Sequence, residues 1–495
     1  MKSLLEVEKN RISYHKAGDV NTVHRSSLIV PRLFQSASNI SFLNHFLLKR
    51  NNKNVALKIT AINSQGNPLD SLTILIDETK VYSFDLEYLF EDTLIIKEFL
   101  IEFYSNKNLY IPFPAVIVNH IGEDFTNCVH SFNRVLNDVF EDDTINKIHT
   151  YESSIDAVID ENYDTFFNFA SGPFNVSDNL SVSLINESGA ISKDFPIEIT
   201  RLSNKNFCLS NIFDEKFNEK LILKVLQPKQ TLFFGRLLAG RIDKKTLAFS
   251  ANHSFYDSSS TEEYFDNKVS SRAYPYFSNC HNKIIMYPIM STSILSVHIE
   301  IYDGKSVFTS NAKTITSPSN SLMEFDIDEL VANSNFKNVT LFKLIATSTK
   351  GNIPTRVNHQ LIYGPQNSKS KLYSSINVSL NNEEEYTPTY KTGLTWGQVL
   401  IDSNYESRLA ICFKNNNGNI DEVLVDFYGE SGLVKSLKQE LNPSNALIFN
   451  NDFFSSLNIK REFLWFVAKS NRADIQAHSF HFHRISHNAS GEHSF

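Results

Sequence analysis

The stretch NVALKITAINSQGNP (54–68) alternates apolar and polar residues and then breaks at a polar turn that contains Gly66. Alternation with a period of two is typical of a β-strand, whose successive side chains point to opposite faces. Polar residues next to glycine tolerate the backbone geometry of a tight hairpin turn. The stretch therefore predicts a β-hairpin with Gly66 in its turn.

The same pattern occurs three more times, each time as an alternating strand, a polar turn with glycine and a second strand. The further copies are NLSVSLINESGAIS (179–192), ILSVHIEIYDGKSV (294–307) and RLAICFKNNNGNID (408–421), with glycines at Gly189, Gly304 and Gly418. Each copy is followed by a segment that predicts a strand ending in one helical turn: VYSFDLEYLF (81–90), KNFCLSNIFDE (205–215), LMEFDIDELV (322–331) and ALIFNNDFFS (446–455). An apolar strand comes next: EFLIEFYSN (98–106), KLILKVLQP (220–228), LFKLIATST (341–349) and EFLWFVAKS (462–470).

The constant order of these blocks indicates internal repeats. We therefore predict an all-β chain of four tandem β-sandwich repeats, each similar to an immunoglobulin or jelly-roll sandwich. The predicted segments are an N-terminal extension (1–28), repeat 1 (29–122), a connector (123–164), repeat 2 (165–257), a connector (258–274), repeat 3 (275–364), a connector (365–390), repeat 4 (391–484) and a C-terminal tail (485–495).

The first connector contains the one exception to this β pattern. In VHSFNRVLNDVFEDD (129–143), apolar residues recur at intervals of three and four, at Phe132, Val135, Leu136, Val139 and Phe140. That period is typical of an amphipathic helix, so we expect one short helix here.

Composition narrows the class of protein. The 495 residues carry a net charge of −8 without a long basic block, which argues against a nucleic-acid partner. The beginning of the chain has no apolar signal-peptide stretch, and no run of about 18 apolar residues predicts membrane insertion. The four cysteines are far apart and form no CxxC pair. These features lead us to expect a cytoplasmic protein with free thiols.

Each predicted repeat closes on a histidine, and the four are His120, His253, His359 and His478. Imidazole is the commonest metal ligand, and equivalent strand ends packed around one centre would let three or four of these rings hold zinc, iron or copper. The alternative follows from strand phase, because each histidine alternates onto the same face as nearby apolar residues. A histidine on such a face is commonly a buried residue with one satisfied hydrogen bond.

Further candidate ligands lie in the tail and in the first connector. His481 and His483 are two residues apart on a predicted strand and so point to one side, where Glu492 and His493 would complete a set if the tail folds back. Glu123, His130 and Arg134 form a weaker group in the first connector, where functional residues of β scaffolds often lie. The alternative for this second group is a solvated loop followed by a helix N-terminus, where acidic residues are favoured.

No local catalytic motif is present, so the sequence names neither a catalytic residue nor a reaction, and no nucleotide cofactor is expected. The first hypothesis is a soluble repeat protein with a histidine-rich site for a divalent transition metal between sandwiches, enzymatic or not. The second is a non-enzymatic scaffold or glycan-binding protein that uses exposed aromatic rings near Trp396 and Tyr276. The third is a self-assembling structural protein. A small molecule or glycan and a homo-oligomer are accordingly the expected partners.

Overall fold

The protein is described by a computed structural model. The described residues are 2–3, 24–91, 94–105, 115–130, 132–137, 151–172, 174–186, 188–214, 217–228, 236–256, 263–287, 293–304, 306–316, 322–355, 357–382 and 392–495. They divide into two compact units. The N-terminal unit is Leu5–Tyr256, and the C-terminal unit is Asp257–Phe495 together with Met1–Leu4.

The first sandwich of the N-terminal unit consists of two antiparallel sheets. Strand β1 (Lys2–Ser3) belongs to the C-terminal unit. The elements of the first sandwich are β2 (His24–Pro31), β3 (Ala37–Leu43), α1 (His45–Arg50), β4 (Val55–Asn63), β5 (Pro68–Leu75), β6 (Val81–Asp85), a 3-10 turn (Leu86–Tyr88), β7 (Ile96–Ser105), β8 (Ile117–Ile121), β9 (Thr126–His130) and β10 (Arg134–Asn137). One sheet has the order β10-β2-β7-β4-β5, and the other β6-β3-β8-β9.

The second sandwich completes the N-terminal unit. Its elements are β11 (Tyr151–Ile159), β12 (Tyr163–Ala170), β13 (Val176–Asn186), β14 (Gly189–Ile199), β15 (Asn204–Cys208), a 3-10 turn (Leu209–Asn211), β16 (Phe217–Leu226), β17 (Leu238–Asp243), β18 (Phe249–His253) and β19 (Phe255–Tyr256). The strands pair in the orders β19-β11-β16-β13-β14 and β15-β12-β17-β18. One residue pair, Ile159 with Asp164, links the two sets at a corner.

The third sandwich begins the main part of the C-terminal unit. Its elements are β20 (Glu263–Tyr264), β21 (Val269–Pro275), β22 (Cys280–Met286), β23 (Ile294–Tyr302), β24 (Val307–Thr309), β25 (Lys313–Ile315), β26 (Met323–Asp326), α2 (Ile327–Ser334), β27 (Leu341–Lys350), β28 (Asn358–Pro365), β29 (Ser374–Ser379) and β30 (Asn381–Asn382). The sheets have the orders β30-β21-β27-β23-β24, with β25 also on β23, and β26-β22-β28-β29. Strand β20 pairs in parallel with β1.

The fourth sandwich extends to the end of the chain. Its elements are β31 (Gly393–Asp402), β32 (Tyr405–Phe413), β33 (Asp421–Gly429), β34 (Gly432–Leu441), β35 (Leu447–Phe449), α3 (Asn451–Ser455), β36 (Arg461–Ser470), β37 (Ile475–His483) and β38 (Ala489–His493). The sheets have the orders β31-β36-β33-β34 and β35-β32-β37-β38.

The order of pairing is shared by the four sandwiches, except that the first sheet of the fourth has four strands where those of the other three have a fifth at one edge. The prediction of an all-β fold built from β-sandwiches is confirmed. In each sandwich, one edge of the second sheet is formed by the strand of that sheet that comes last in the sequence. We call these strands, β9, β18, β29 and β38, the closing strands. The exact boundaries of the repeats stay predictions.

Alternation of apolar residues builds the cores, since one face of each strand is buried. In the second sandwich, Phe167, Leu180 and Leu223 are fully buried in one cluster. In the fourth, Leu409, Val425 and Leu464 form the equivalent core. These cores fix the strand ends on which the candidate ligands lie.

The predicted hairpin at Gly418 is wrong. Strand β32 before this glycine pairs with β35 and β37, whereas β33 after it pairs with β34 and β36, so the turn crosses between sheets. The hairpin of the fourth sandwich lies one strand later, at Gly429 and Gly432. Gly418 has a φ of 107°, and a positive φ marks many kinds of turn and not hairpins alone.

The predicted helix over 129–143 is also wrong where the structure describes it. Thr126–His130 and Arg134–Asn137 are strands, and Asn133 between them has a φ of 44°. A right-handed helix cannot include that conformation. Arg134–Asn137 pairs with the edge of the sheet at strand β2, so tertiary pairing overrides the helical period of the sequence. Residues 138–143 lie outside the described residues.

Candidate metal-binding histidines

Three of the four closing strands end on histidine. They are TNCVH, FSANH and ASGEH, ending at His130, His253 and His493, and each of these histidines is followed by Ser and Phe in the sequence. Two of the three face the first residue of the neighbouring strand, since His130 pairs with Ile117 and His253 with Leu238. The closing strand of the third sandwich, SSINVS, contains no histidine. His130, His253 and His493 therefore occupy equivalent positions in three of the four sandwiches.

The expected equivalence of His120, His253, His359 and His478 is therefore wrong. His120, His359 and His478 lie on β8, β28 and β37, the neighbours of closing strands, whereas His253 lies on a closing strand itself. The sequence alignment placed His253 one strand too early. The number of residues between the turn glycine and the histidine could not reveal this shift. One additional strand in one sandwich and longer loops in another lengthen that interval by similar amounts.

In the N-terminal unit, the first and second closing strands bring His130 and His253 together. The two ring centroids are 5.0 Å apart with an interplanar angle of 84°. Both residues are almost completely buried, and the nitrogens that they can offer to an ion lie within 4.8 Å of each other. The strands are tied nearby, because the Ala251 N–H donates to Asn127 Oδ1 at 2.7 Å. Two imidazoles on one tetrahedral ion hold their nitrogens about 3.3 Å apart, so a small closing movement brings the pair to that geometry.

The hydrogen bonds of His253 determine which nitrogen it can offer. Nδ1 lies 3.0 Å from the carbonyl oxygen of Ser254. A carbonyl only accepts, so Nδ1 carries the proton and Nε2 carries the lone pair. A backbone carbonyl that orients the non-ligating nitrogen is the usual outer partner of a metal-bound histidine. Arg236 is close to the same ring, with Nη1 3.2 Å from Nδ1 and 3.4 Å from Nε2.

In the C-terminal unit, His493 has the same local arrangement. Its Nδ1 donates to the carbonyl oxygen of Ser494 at 2.9 Å, so Nε2 again carries the lone pair. Nε2 lies 4.0 Å from Oε1 of Glu492, a carboxyl group that is buried. Glu492 Oε1 also accepts the backbone N–H of His493 at 3.0 Å. This pair combines a nitrogen and an oxygen ligand.

The tail folds back, but not onto the residues expected. His493 pairs with His478 across β37 and β38, whereas His481 pairs with Ser490. His481 and His483 instead contact the ring of Tyr405, at centroid distances of 5.6 Å and 5.2 Å. The Ser486 N–H donates to His483 Nδ1 at 3.2 Å, which engages that nitrogen in a turn. An aromatic ring thus contacts both members of this predicted pair.

His359 uses both of its ring nitrogens inside the protein. Its Nδ1 donates to the carbonyl oxygen of Val357 at 3.1 Å, and its Nε2 accepts from the Tyr274 hydroxyl at 2.7 Å. The residue is fully buried, and burial lowers its pKa to about 3. His359 is a neutral core residue, which is the alternative that strand phase predicted.

His120 and His478 are fully buried as well, yet neither ring of the two forms a hydrogen bond with the described part of the chain. Burial lowers the pKa of His120 to about 3 and that of His478 well below its ordinary value. His120 packs against the ring of Phe249, with centroids 5.6 Å apart. His478 packs against Tyr274, with centroids 5.8 Å apart. Both are neutral rings among aromatic neighbours.

The weaker candidates of the first connector lie at different places. Glu123 is exposed in the turn before β9, at the far end of that strand from His130. Arg134 belongs to β10, and its backbone pairs with Leu28 of β2. Of this group, the structure brings only His130 to another candidate ligand among the described residues. Arg236, which contacts His253, was missed because it follows a stretch without any recognisable pattern. The Ser-Phe that follows His130, His253 and His493 was the available signal for the correct alignment.

The two aromatic stretches proposed as a glycan platform are not exposed. Trp396 is 4% exposed and Tyr276 is 9% exposed. Trp396 stacks on Phe495 with centroids 6.0 Å apart. A sugar ring needs an accessible aromatic face, so these two residues do not form such a platform.

Comparisons with known proteins name no family. No family model and no curated protein matches the chain. A calcium-binding mutant of Bacteroides uniformis beta-glucuronidase 2 is 12% identical with a TM-score of 0.12; the match covers 48% of this chain and 26% of that one. A tetra-tandem repeat from the extending region of a large adhesion protein is 8% identical with a TM-score of 0.09, over 95% and 98% of the two chains. Likenesses this weak carry no argument about function. In the described part of the chain, no helix has the length and apolar character needed to cross a membrane.

Proposed function

We propose that this chain is a β-sandwich protein that binds a divalent transition metal through His130 and His253 in its N-terminal unit. The observation that carries the proposal is the approach of these two buried rings, with centroids 5.0 Å apart, at the ends of two closing strands. Neutral imidazoles are good ligands for zinc, copper and iron. The resident ion is accordingly zinc, iron or copper.

The surroundings of the pair support the same proposal. The bond from His253 Nδ1 to Ser254 fixes the ring and its tautomer before an ion arrives, which reduces the ordering cost of binding. Both rings are buried and so are shielded from bulk solvent, and imidazole binds metal in its neutral form.

The ligand number bears on what the ion would do. Structural zinc sites use four protein ligands, whereas catalytic sites keep a position open. The His130–His253 pair supplies two, so water or a small polar molecule would occupy further positions. The proposed ligand class is therefore a small molecule with an oxygen or nitrogen donor, and any reaction would proceed on a metal-bound group of that kind.

Zinc titration of the purified full-length chain tests the proposal. The wild type is expected to bind zinc, and H253Q and H130Q are each expected to weaken binding by at least about tenfold, since each removes one ligand nitrogen. The matched control is H298Q, which alters a half-buried histidine on β23 of the third sandwich and should bind as the wild type does. Wild-type protein without zinc binding, or equal affinity in H253Q and H298Q, would overturn the proposal.

The Glu492–His493 pair of the C-terminal unit has the same tautomer and a buried carboxylate, so we extend the proposal to it. H493Q is expected to weaken zinc binding in the same titration. If H493Q binds zinc as H298Q does, this extension is wrong while the assignment of His130 and His253 stands.

A further inference from the structure

We infer that strand β5 (Pro68–Leu75) of the first sandwich is a dimerisation edge, which pairs with β5 of a second copy of this chain about a two-fold axis at Leu72. This strand lies at the end of its sheet, where the described strands give it one neighbour, β4. The backbone groups on its outer side are therefore available to another strand. The inference is independent of the proposed metal site, whose histidines lie on β9 and β18.

The side chains of β5 are apolar for a strand at an exposed edge. Leu69, Leu72 and Leu75 are 39%, 37% and 58% exposed. Asp70 is the one charged residue of the strand. An edge strand that exposes apolar side chains and carries little charge is a ready template for pairing with another chain.

The strands at the same edge of the other sandwiches are protected against such pairing. Charge and proline protect two of them, through Lys193, Pro196 and Glu198 in β14 and Lys435 and Lys438 in β34. In the third sandwich, the edge is divided between β24 and β25, which are three residues long each. Charge, proline and short length are the features that keep natural edges from associating. Strand β5 is longer and has one charge, and its one proline stands at the first position, where it does not interrupt pairing.

The sequence of β5 is symmetric about Leu72, and this symmetry identifies a second copy as the occupant. From Leu69 to Leu75 it reads LDSLTIL. When a two-fold axis relates two antiparallel strands, residues at equal distances before and after the axis lie opposite each other. An axis at Leu72 sets this residue against its own copy and Leu69 against Leu75. The same register sets Ser71 against Thr73, a favourable pair of hydroxyls. All three exposed leucines thus pair with leucine in one register.

Charge and local hydrogen bonds do not oppose this register. Asp70 would lie opposite Ile74, and the two copies of Asp70 would be about 13 Å apart along the strands, where salt screens their repulsion. Within the strand, the Ser71 N–H donates to Asp70 Oδ1 at 2.7 Å. Both residues are exposed, so this bond can exchange for one to the second copy.

The length of the strand sets the expected strength of the dimer. A ladder from Leu69 to Leu75 buries less surface than a permanent dimer needs. We therefore expect a reversible dimer with a Kd of roughly 1 to 100 μM.

Sedimentation equilibrium of the full-length chain tests this inference over protein concentrations of about 1 to 500 μM. The wild type should change from monomer to dimer within this range. L72K places two like charges opposite each other at the axis and should weaken the dimer by at least about tenfold. L433K is the matched control, because Leu433 is exposed on β34, at the same edge of the fourth sandwich, and it should dimerise as the wild type does.

A mixing experiment tests the position of the axis. L72E should be as monomeric as L72K, since it also opposes two like charges. An equimolar mixture of L72K and L72E should dimerise, because residue 72 of one chain then lies opposite the other charge on its partner. Circular dichroism of both variants checks that they fold, which the exposure of Leu72 leads us to expect.

Each outcome supports or overturns the inference. A wild type that stays monomeric would overturn it, and so would assemblies larger than a dimer, since one two-fold edge closes at two copies. A dimer of equal strength in L72K and the wild type would place the contact elsewhere on the chain. Weakening in L433K as well would show that added charge, and not β5, disrupts association. A mixture without dimers would overturn the axis at Leu72. Zinc binding is a separate matter, and H253Q should dimerise as the wild type does.

Discussion

At the scale of single residues, His120 and His359 show how two equally buried imidazoles can differ. Both are fully buried. His359 has a hydroxyl and a carbonyl as partners, whereas the ring of His120 forms no hydrogen bond with the described residues. A buried polar group with partners stabilises a fold modestly, and one without partners costs the free energy of its lost hydration.

Replacement by leucine should therefore act in opposite directions at these positions. H359L removes the hydrogen bonds of this ring to the Tyr274 hydroxyl and the Val357 carbonyl, so we expect a loss of about 2 kcal/mol in the free energy of unfolding. H120L removes two unmatched nitrogens and should be neutral or stabilising by about 1 kcal/mol. Urea unfolding at pH 7.5 measures both. A larger loss in H120L than in H359L would contradict the comparison and would indicate that a bound group satisfies His120.

The acid limb of the stability curve provides a second check on the same pair of variants. Burial lowers the pKa of both rings to about 3, below the value of about 6.5 in an unfolded chain. The unfolded state then binds more protons, so the contribution of each ring is full above pH 6.5 and is lost as the pH falls toward 3. H120L should lose less stability than the wild type between pH 7 and pH 5.

At the scale of elements, a buried carboxyl joins β7 of the first sandwich to β15 of the second. Glu98 of β7 is 2% exposed, and its Oε2 accepts from Nδ2 of Asn204. The glycine turn of the first hairpin packs beside the same segment, since a Cβ on Gly66 would lie 2.2 Å from the carbonyl oxygen of Arg201. Burial accordingly raises the pKa of Glu98 to about 7, in spite of bonds from Ser203 and Asn204 that favour the charged form.

This contact should make the stability of the N-terminal unit depend on pH. The pKa of Glu98 is raised in the folded state, so its contribution is full below about pH 4.5 and is lost as the pH rises through 7. E98Q cannot ionise and should exceed the wild type by up to about 3 kcal/mol at pH 8. The difference should become small at pH 5, where the wild-type carboxyl is protonated. Urea unfolding at pH 5, 6.5 and 8 measures it, and a difference that is the same at all three values would contradict the assignment.

Elements also show where sequence patterns succeed. In the described residues of the strand-and-turn segments at 81–90, 205–215, 322–331 and 446–455, a strand leads directly into a helical turn. Asp or Asn precedes that turn in three of the four, at Asp85, Asp326 and Asn450. Asp326, for example, accepts the N–H of Glu329 and caps α2. Local chemistry of this kind is legible in a single sequence. The pairing of Arg134–Asn137 with the edge of β2 cannot be recognised in this way, because the two segments are far apart in the chain.

At the scale of the whole molecule, the sequence predicted the β-sandwich architecture and named His130 and His253 as candidate ligands, but it did not predict that these two lie together. Alternation of apolar and polar residues identifies strands and their buried faces. At Gly66 and Gly189, the two alternating strands on either side of the turn pair with each other as a hairpin. The site depends on which strands are neighbours, and periodicity does not contain that information. His253 was aligned with His120, although pairing places it at the position of His130.

Within the N-terminal unit, aromatic packing connects the two sandwiches. The ring of Phe34, which precedes β3, contacts Phe166 at 5.0 Å and Phe249 at 5.5 Å in the second sandwich. Ile29, Leu100 and Ala170 share one further apolar cluster across the same boundary. Apolar burial of this kind is the dominant favourable term in folding. The two sandwiches of this unit should therefore unfold together.

A chain limited to residues 5–256 should accordingly fold by itself and keep its metal site. It spans both sandwiches of the N-terminal unit and contains both His130 and His253, which approach each other where β9 contacts β18. We expect a β-rich circular dichroism spectrum, one cooperative thermal transition, and zinc binding that raises the midpoint of that transition because the ion binds only the folded state. The same fragment with H253Q is the control and should show the transition without the rise. An unfolded fragment would show that the unit needs the rest of the chain, and a folded fragment without a zinc-dependent rise would show that His130 and His253 are not sufficient to hold the ion.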